Sequence, residues 1–256
     1  PDPPTIIDIL FFKVIFLYVN NDKKILVFTA TYNEKENIEN LILNINERIP
    51  SASILIIDDN SPDGTGKIVN KLQSKIKKIV LISRDKKLGL DSAHKLAYNY
   101  SIKNNFDYLI TMDADFSHDP STLPIIVKNL EYNAFVLGSR YVEGGKCLMH
   151  GSRFIMSYFG NKLIKMVSGI ESNEFTTSYR GFNLNRLEMF DLNNVKFNGY
   201  SFFMGTIFEL YNNKIPIKEI PIVFKDRVNG ISKIPKLEIF RTLRNLTIFF
   251  FKKFYK

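Results

Sequence analysis

A chain of 256 residues, 45% hydrophobic and 24% charged, suits one large α/β domain or two small ones and is too apolar for wholesale disorder. Its formal charge of +9 draws anions in general, whether nucleic acid, acidic lipid or phosphorylated substrates, and does not choose among them. The single Cys147 excludes an intramolecular disulfide and a cysteine-based zinc site, and fits a reducing compartment.

The chain opens on Pro1, and Ile6 to Val19 form an apolar run broken by Asp8 and Lys13. The run is shorter than the roughly 20 residues of a membrane span and lacks a small-residue cleavage site. It reads as a packed or interfacial helix, with a truncated anchor or non-native sequence as alternatives. Residues 1–23 are therefore set apart from a globular region expected over 24–235.

From Lys24 short β-rich runs alternate with amphipathic helices. Ile25–Thr29 reads as a strand, and Asn33 as the cap of a helix carrying Ile38, Leu41, Ile42, Ile45 and Ile49. Ile54–Asp58 is the next strand, before a helix with Ile68, Val69, Leu72 and Ile76. The order repeats with strands at Ile79–Ile82 and Tyr108–Met112, a helix with Ala93, Leu96, Ala97 and Tyr100 between them, a helix opened by Pro120, and a strand at Ala134–Gly138. This alternation predicts βαβ units, a mostly parallel central sheet flanked by helices, and a ligand site at the carboxyl ends of the strands. Beyond Gly144, helices are expected at Arg153–Val167 and Phe202–Tyr211 and a strand at Ile217–Phe224.

The polar motifs fall at those strand ends. Asp113-Ala114-Asp115 follows the strand YLITM. Two carboxylates one residue apart suit Mg2+ or Mn2+, which in turn can bridge a diphosphate; alone, such a triplet is more often a solvated acidic turn. Asp58 to Thr65 is a run of turn formers that also offers Asp59 to a base or ribose. After the first strand, Tyr32 can stack on a base, and Glu34 can bind base or ribose edges or serve as a favourable charge at a helix N-terminus.

Three such clusters on successive strands, in this order, resemble the inverting glycosyltransferases of family 2, which have the GT-A nucleotide-diphospho-sugar transferase fold. DADFSHDP at Asp113–Pro120, GSRY at Gly138–Tyr141, Arg153-x-x-x-Ser157-x-x-x-Asn161 and Asp226-Arg227-x-x-Gly230-x-Ser232-Lys233 look like the dolichol-phosphate mannosyltransferase group. The resemblance implies a sugar nucleotide donor, GDP-mannose first, a polyprenyl or dolichyl phosphate acceptor, and a divalent metal. It places nucleotide contacts at Ala30, Tyr32, Glu34, Ile57 and Asp59, and the metal and diphosphate at Asp113, Ala114 and Asp115. Arg140 matches an arginine between donor sugar and acceptor phosphate and is paired with Asp115 as a catalytic residue. Arg153 and Ser157 match the acceptor-phosphate grip, and Arg227 and Lys233 a loop over the donor phosphates.

Some positions depart from the group. Ala30 and Ser178 stand where proline and glycine are usual, and Gly205 where a glutamate facing the acceptor is expected. Residues 236–256 are basic and aromatic; Leu237, Phe240, Leu243, Leu246, Phe250 and Phe254 recur at near-helical intervals, which suits a helix lying on anionic lipid or one packed on the sheet. The resemblance implies work at the cytoplasmic face of a membrane, by peripheral binding or through an anchoring subunit. The alternatives are a family 2 enzyme using another sugar nucleotide and a glycan or lipopolysaccharide hydroxyl, and a non-catalytic binder of nucleotide sugar or nucleic acid. Nucleic acid is not expected as a partner, because paired aspartates repel its phosphates.

Overall fold

The structure, a computed structural model, describes residues 23–225 and 244–251. The expected N-terminal helix, Arg227 and Lys233 lie outside these residues.

The first half of the chain runs β1 (Ile25–Thr31), α1 (Ile38–Arg48), β2 (Ser53–Asp58), α2 (Thr65–Gln73), β3 (Ile79–Ser83), α3 (Leu90–Lys103) and β4 (Tyr108–Thr111). A 3-10 turn at Pro120–Thr122 leads into α4 (Leu123–Leu130) and β5 (Phe135–Ser139). Then come β6 (Lys146–Cys147), α5 (Gly151–Ser168), β7 (Arg180–Asn183), α6 (Ser201–Asn212), β8 (Ile217–Pro221) and β9 (Val223–Phe224). Residues 244–251 form a last helix, α7.

Seven strands make one sheet in the order β3-β2-β1-β4-β7-β5-β8, and β6 pairs with β9 beside it. β1, β2, β3 and β4 are mutually parallel, as are β5 and β8. β1, β2, β4 and β5 are largely apolar because both faces are covered. Leu26 and Phe28 of β1 join a core built with α3 and α6, while Ile25 and Val27 join one built with α1, α2 and α4. The α/β sheet flanked by helices is the architecture expected.

β7 is the strand that the pattern did not show. It runs antiparallel between β4 and β5, with Arg180 opposite both Thr111 and Leu137. It is short and holds Gly181, where a Cβ would come within 2.7 Å of Ile126 in α4. The strand expected over Ile217–Phe224 is two strands, since Ile222 leaves the main sheet to bridge it to β6. Asn33 is not a helix cap: its φ is 57°, its N–H donates to the Ser61 hydroxyl (2.9 Å), and α1 begins at Ile38.

Gly205 also differs from its expected setting. It lies buried in α6, where a Cβ would meet Phe197 at 2.7 Å and Val195 at 2.9 Å. The position faces packed side chains, so a larger residue there would have to displace Phe197 or Val195. In α7, Leu246 and Phe249 turn inward, Phe249 stacking on Phe208 with ring centroids 3.7 Å apart, while Ile248, Phe250 and Phe251 stay exposed. The described part of the tail is therefore packed on the body along one side. Among the described residues no helix is long and apolar enough to cross a membrane.

Candidate active site

The chain winds from β1 to β2 to β3 in one direction and then returns to place β4 on the other side of β1. The carboxyl ends of β1 and β4 therefore lie side by side, on the edge of the sheet where ligands of such folds bind. Tyr32 and Glu34 follow β1, and Asp113 to Asp115 follow β4.

On the β1 side the loops are tied together by hydrogen bonds. Asp58 accepts from the Thr31 hydroxyl (2.8 Å) and from both the hydroxyl (2.6 Å) and N–H (2.9 Å) of Ser61. The Glu34 N–H donates to Thr65 Oγ1 (3.0 Å), and its carboxylate accepts from the Asn37 amide (2.9 Å) just ahead of α1. This bond puts the Glu34 charge at the start of the helix. Asp59, expected to accept from a base or ribose, is instead paired with Arg84 and takes the N–H groups of Leu88 (3.2 Å) and Gly89 (3.3 Å). It anchors the loop that carries Lys87, whose ammonium lies 4.2 Å from the centre of the Tyr32 ring. Ile57 is fully buried in the core opposite Ala30, which leaves only its backbone toward the strand end. Ala30 itself is half-buried at the end of β1.

The acidic loop is closed on itself. Asp115 is buried and accepts from the Ser117 N–H (3.1 Å) and hydroxyl (2.6 Å), around Phe116 at φ 60°. Ala114 is buried between the two aspartates. The Asp113 side chain is 36% exposed and accepts from the Ser178 hydroxyl at 2.5 Å. Its N–H donates to Nδ1 of His118 (3.0 Å), which fixes the neutral ring with the proton on Nε2, 3.1 Å from Thr177 Oγ1. The 3.9 Å approach of His118 Nδ1 to Asp113 Oδ2 is accordingly no ion pair. Burial holds the His118 pKa below its ordinary value despite the nearby carboxylates of Asp113 and Asp115. The ring stacks on Tyr179 at 4.8 Å and meets Phe224 edge-on at 5.5 Å.

Arg140 leaves the end of β5 and is buried against Glu174. Nε and Nη2 donate to the two carboxylate oxygens at 2.7 Å each, and Nη2 also to Thr176 Oγ1 (2.7 Å), while the rings of Tyr141 and Phe224 lie 5.0 Å from the guanidinium carbon. Burial opposes both charges. The attraction between them outweighs it, raising the Arg140 pKa and lowering that of Glu174. Arg140 is thus held by protein first, with Nη1 outside these bonds. Burial likewise pushes the Tyr141 hydroxyl up to about 12, and that hydroxyl donates to Ser157 Oγ (2.8 Å).

This bond joins the site to α5. Arg153 lies one turn before Ser157 on that helix and is exposed. Around them Phe154, Ile155, Met156, Phe159 and Leu163 are also exposed, with Phe159 at 61% and Met166 at 74%. Asn161 anchors the other face, its side chain bonding the Phe175 N–H (2.7 Å) and Thr176 Oγ1 (3.4 Å) beside Glu174. The acidic loop, Arg140 and the stretch of α5 with Arg153 and Ser157 therefore share one connected region. Among the described residues no three His, Cys, Asp or Glu side chains converge as a metal cluster. A cation held by Asp113 and Asp115 would draw its other ligands from diphosphate and water, as Mg2+ commonly does.

The model of the family described as Glycosyl transferase family 2 matches residues 26–208. The chain belongs to this family. As a family 2 glycosyltransferase it is 31% identical over 219 residues to a polyprenol monophosphomannose synthase from Mycolicibacterium smegmatis, covering 84% of this chain and 83% of that protein. It is 30% identical over 212 residues to an undecaprenyl-phosphate mannosyltransferase from Micrococcus luteus, covering 82% and 87%. Among solved structures it is similar to glucosyl-3-phosphoglycerate synthase from Mycobacterium tuberculosis. The complex of that enzyme with Mn2+, uridine diphosphate and phosphoglyceric acid superposes with a TM-score of 0.62 at 16% identity, over 97% of this chain and 82% of that one. The complex with Mn2+ and UDP-glucose gives 0.64 at 14% identity, over 96% and 82%. This likeness shows the GT-A fold.

Reading the sequence of this glycosyltransferase missed Glu174, Arg84, Lys87 and His118 as site residues. Only His118 carried a signal, inside the DADFSHDP motif.

Proposed function

We propose that this family 2 glycosyltransferase transfers a sugar, mannose from GDP-mannose, to a polyprenyl phosphate with the help of Mg2+ or Mn2+. The observation that carries the lipid acceptor is α5: the helix bearing Arg153 and Ser157 exposes an apolar surface and is bonded through Tyr141 to the site of Arg140. A free sugar or glycan would not need that surface, whereas a phosphate on a long hydrocarbon would. The named relatives support the same acceptor class.

In this reading Tyr32, with Lys87 over its ring, and Glu34 line the nucleotide side, while Asp113 and Asp115 are the metal ligands. Their carboxylates fit a hard divalent cation, which when bound stabilises the negative charge of the departing diphosphate. Arg153 and Ser157 hold the acceptor phosphate by charge-assisted and hydroxyl hydrogen bonds, and Arg140 adds positive charge from its place beside Glu174. A phosphate monoester is already anionic near neutral pH, so no strong general base is needed. The residues position the phosphate and offset its charge against that of the donor. Arg227 and Lys233 are proposed to add cations over the donor phosphates. The enzyme works peripherally on the cytoplasmic face of a membrane, or through an anchoring subunit.

The test is a panel of sugar nucleotides with short polyprenyl phosphates and, as competitors, phosphoglycerate and glycan acceptors, with Mn2+, Mg2+ or chelator. Transfer from GDP-mannose to the polyprenyl phosphate alone, lost in chelator and in Asp115→Ala, is the expected outcome. Full turnover in chelator, or preference for a non-lipid acceptor, sinks the proposal.

A further inference from the structure

We infer that Ser178 is the positioning residue of the acidic loop, its hydroxyl fixing the Asp113 carboxylate and leaving Oδ2 for a divalent cation. The inference rests on the proposed role of Asp113 as a metal ligand. β4 ends at Thr111, and the last ladder-like bond beyond it runs from the Met112 N–H to Phe28 O (3.0 Å). Asp113 therefore starts a loop with no strand partner to set it.

Its backbone is caught by His118 and its side chain by Ser178, two bonds from two different segments. Ser178 is itself fixed. It is buried, and its carbonyl accepts from the Thr111 hydroxyl at 2.5 Å, which ties the residue to the strand that ends just before Asp113. The hydroxyl thus reaches Asp113 Oδ1 from a rigid base. Oδ2 carries no hydrogen bond among the described residues. A partly exposed carboxylate without that bond turns freely about its last torsion and loses orientation entropy when it binds a cation. Hydrogen bonds of this outer kind change metal affinity by about 10- to 100-fold when removed.

Mn2+ binding in the presence of GDP, followed by electron paramagnetic resonance titration, tests the inference without turnover. Wild type, Asp113→Ala, Ser178→Ala and Ser178→Thr are compared, with melting temperature measured for each. Ser178→Ala is expected to weaken Mn2+ by about tenfold while melting within a few degrees of wild type. Its kcat at saturating metal should stay near the wild-type value, and Ser178→Thr, which keeps the hydroxyl, should bind Mn2+ more tightly than Ser178→Ala. Wild-type Mn2+ affinity in Ser178→Ala overturns the positioning role alone. Mn2+ binding unchanged by Asp113→Ala overturns the metal site itself, and with it the reading on which the inference rests.

Discussion

The pair of Arg140 and Glu174 shows how a single residue can be held in a site by a partner that does no chemistry. Both are buried, and each charge is tolerated because the other lies at 2.7 Å with two parallel bonds. Glu174→Gln leaves a buried arginine without its counter-charge, which is expected to cost about 3 to 5 kcal/mol by urea denaturation. Adding Arg140→Met removes the stranded charge and should restore most of that stability while sugar transfer stays low. A double variant as unstable as the single one would mean that the loss comes from packing rather than charge. Asp113 and Asp115 were legible in the sequence because a strand end followed by two acids is a local pattern. Glu174 was not, because its role is created by Arg140, thirty-four positions earlier in the chain.

At the scale of elements, the proposed lipid acceptor rests on helix α5. Its outward side is apolar where a water-facing helix would be polar, and Lys162 and Lys165 lie along it. Phe159→Ser combined with Met166→Gln should weaken co-sedimentation with anionic vesicles at least fivefold. Because both side chains are mostly exposed, at 61% and 74%, melting should change little. Unchanged vesicle binding would overturn α5 as a membrane contact. Helices α1 to α3 were readable from periodicity, α4 from Pro120 and strands β1 to β5 as short apolar runs. β7 was not, because RGFN is short, contains glycine and owes its strand geometry to β4 and β5 on either side.

For the whole molecule, two buried neutral histidines tie stability to acidity. Burial, with the charge of Arg180 nearby, lowers the His94 pKa to about 3 inside a ring of Phe28, Phe202 and Phe203. The unfolded chain takes up that proton near the ordinary value of about 6.5, so between the two values the unfolded state binds more protons than the folded one. Stability then falls as pH drops through that window, by about 1.4 kcal/mol per unit for His94, and His118 acts in the same direction. Denaturation midpoints near pH 7 and pH 5 should show a loss of about 2 kcal/mol from His94, absent in His94→Phe. An equal loss in that variant would assign the acid sensitivity elsewhere.

The central placement of β7 bears on how the protein comes into being. A ribosome delivers β1 to β5 first, and these can assemble in sequence order, but the gap between β4 and β5 closes only after Arg180 to Asn183 emerge. Ser178, Thr177 and Glu174 arrive on that same late stretch. A nascent or truncated polypeptide thus has its donor-side loops before it has a braced acidic loop or a neutralised arginine, and should acquire transfer activity in one late step rather than by degrees.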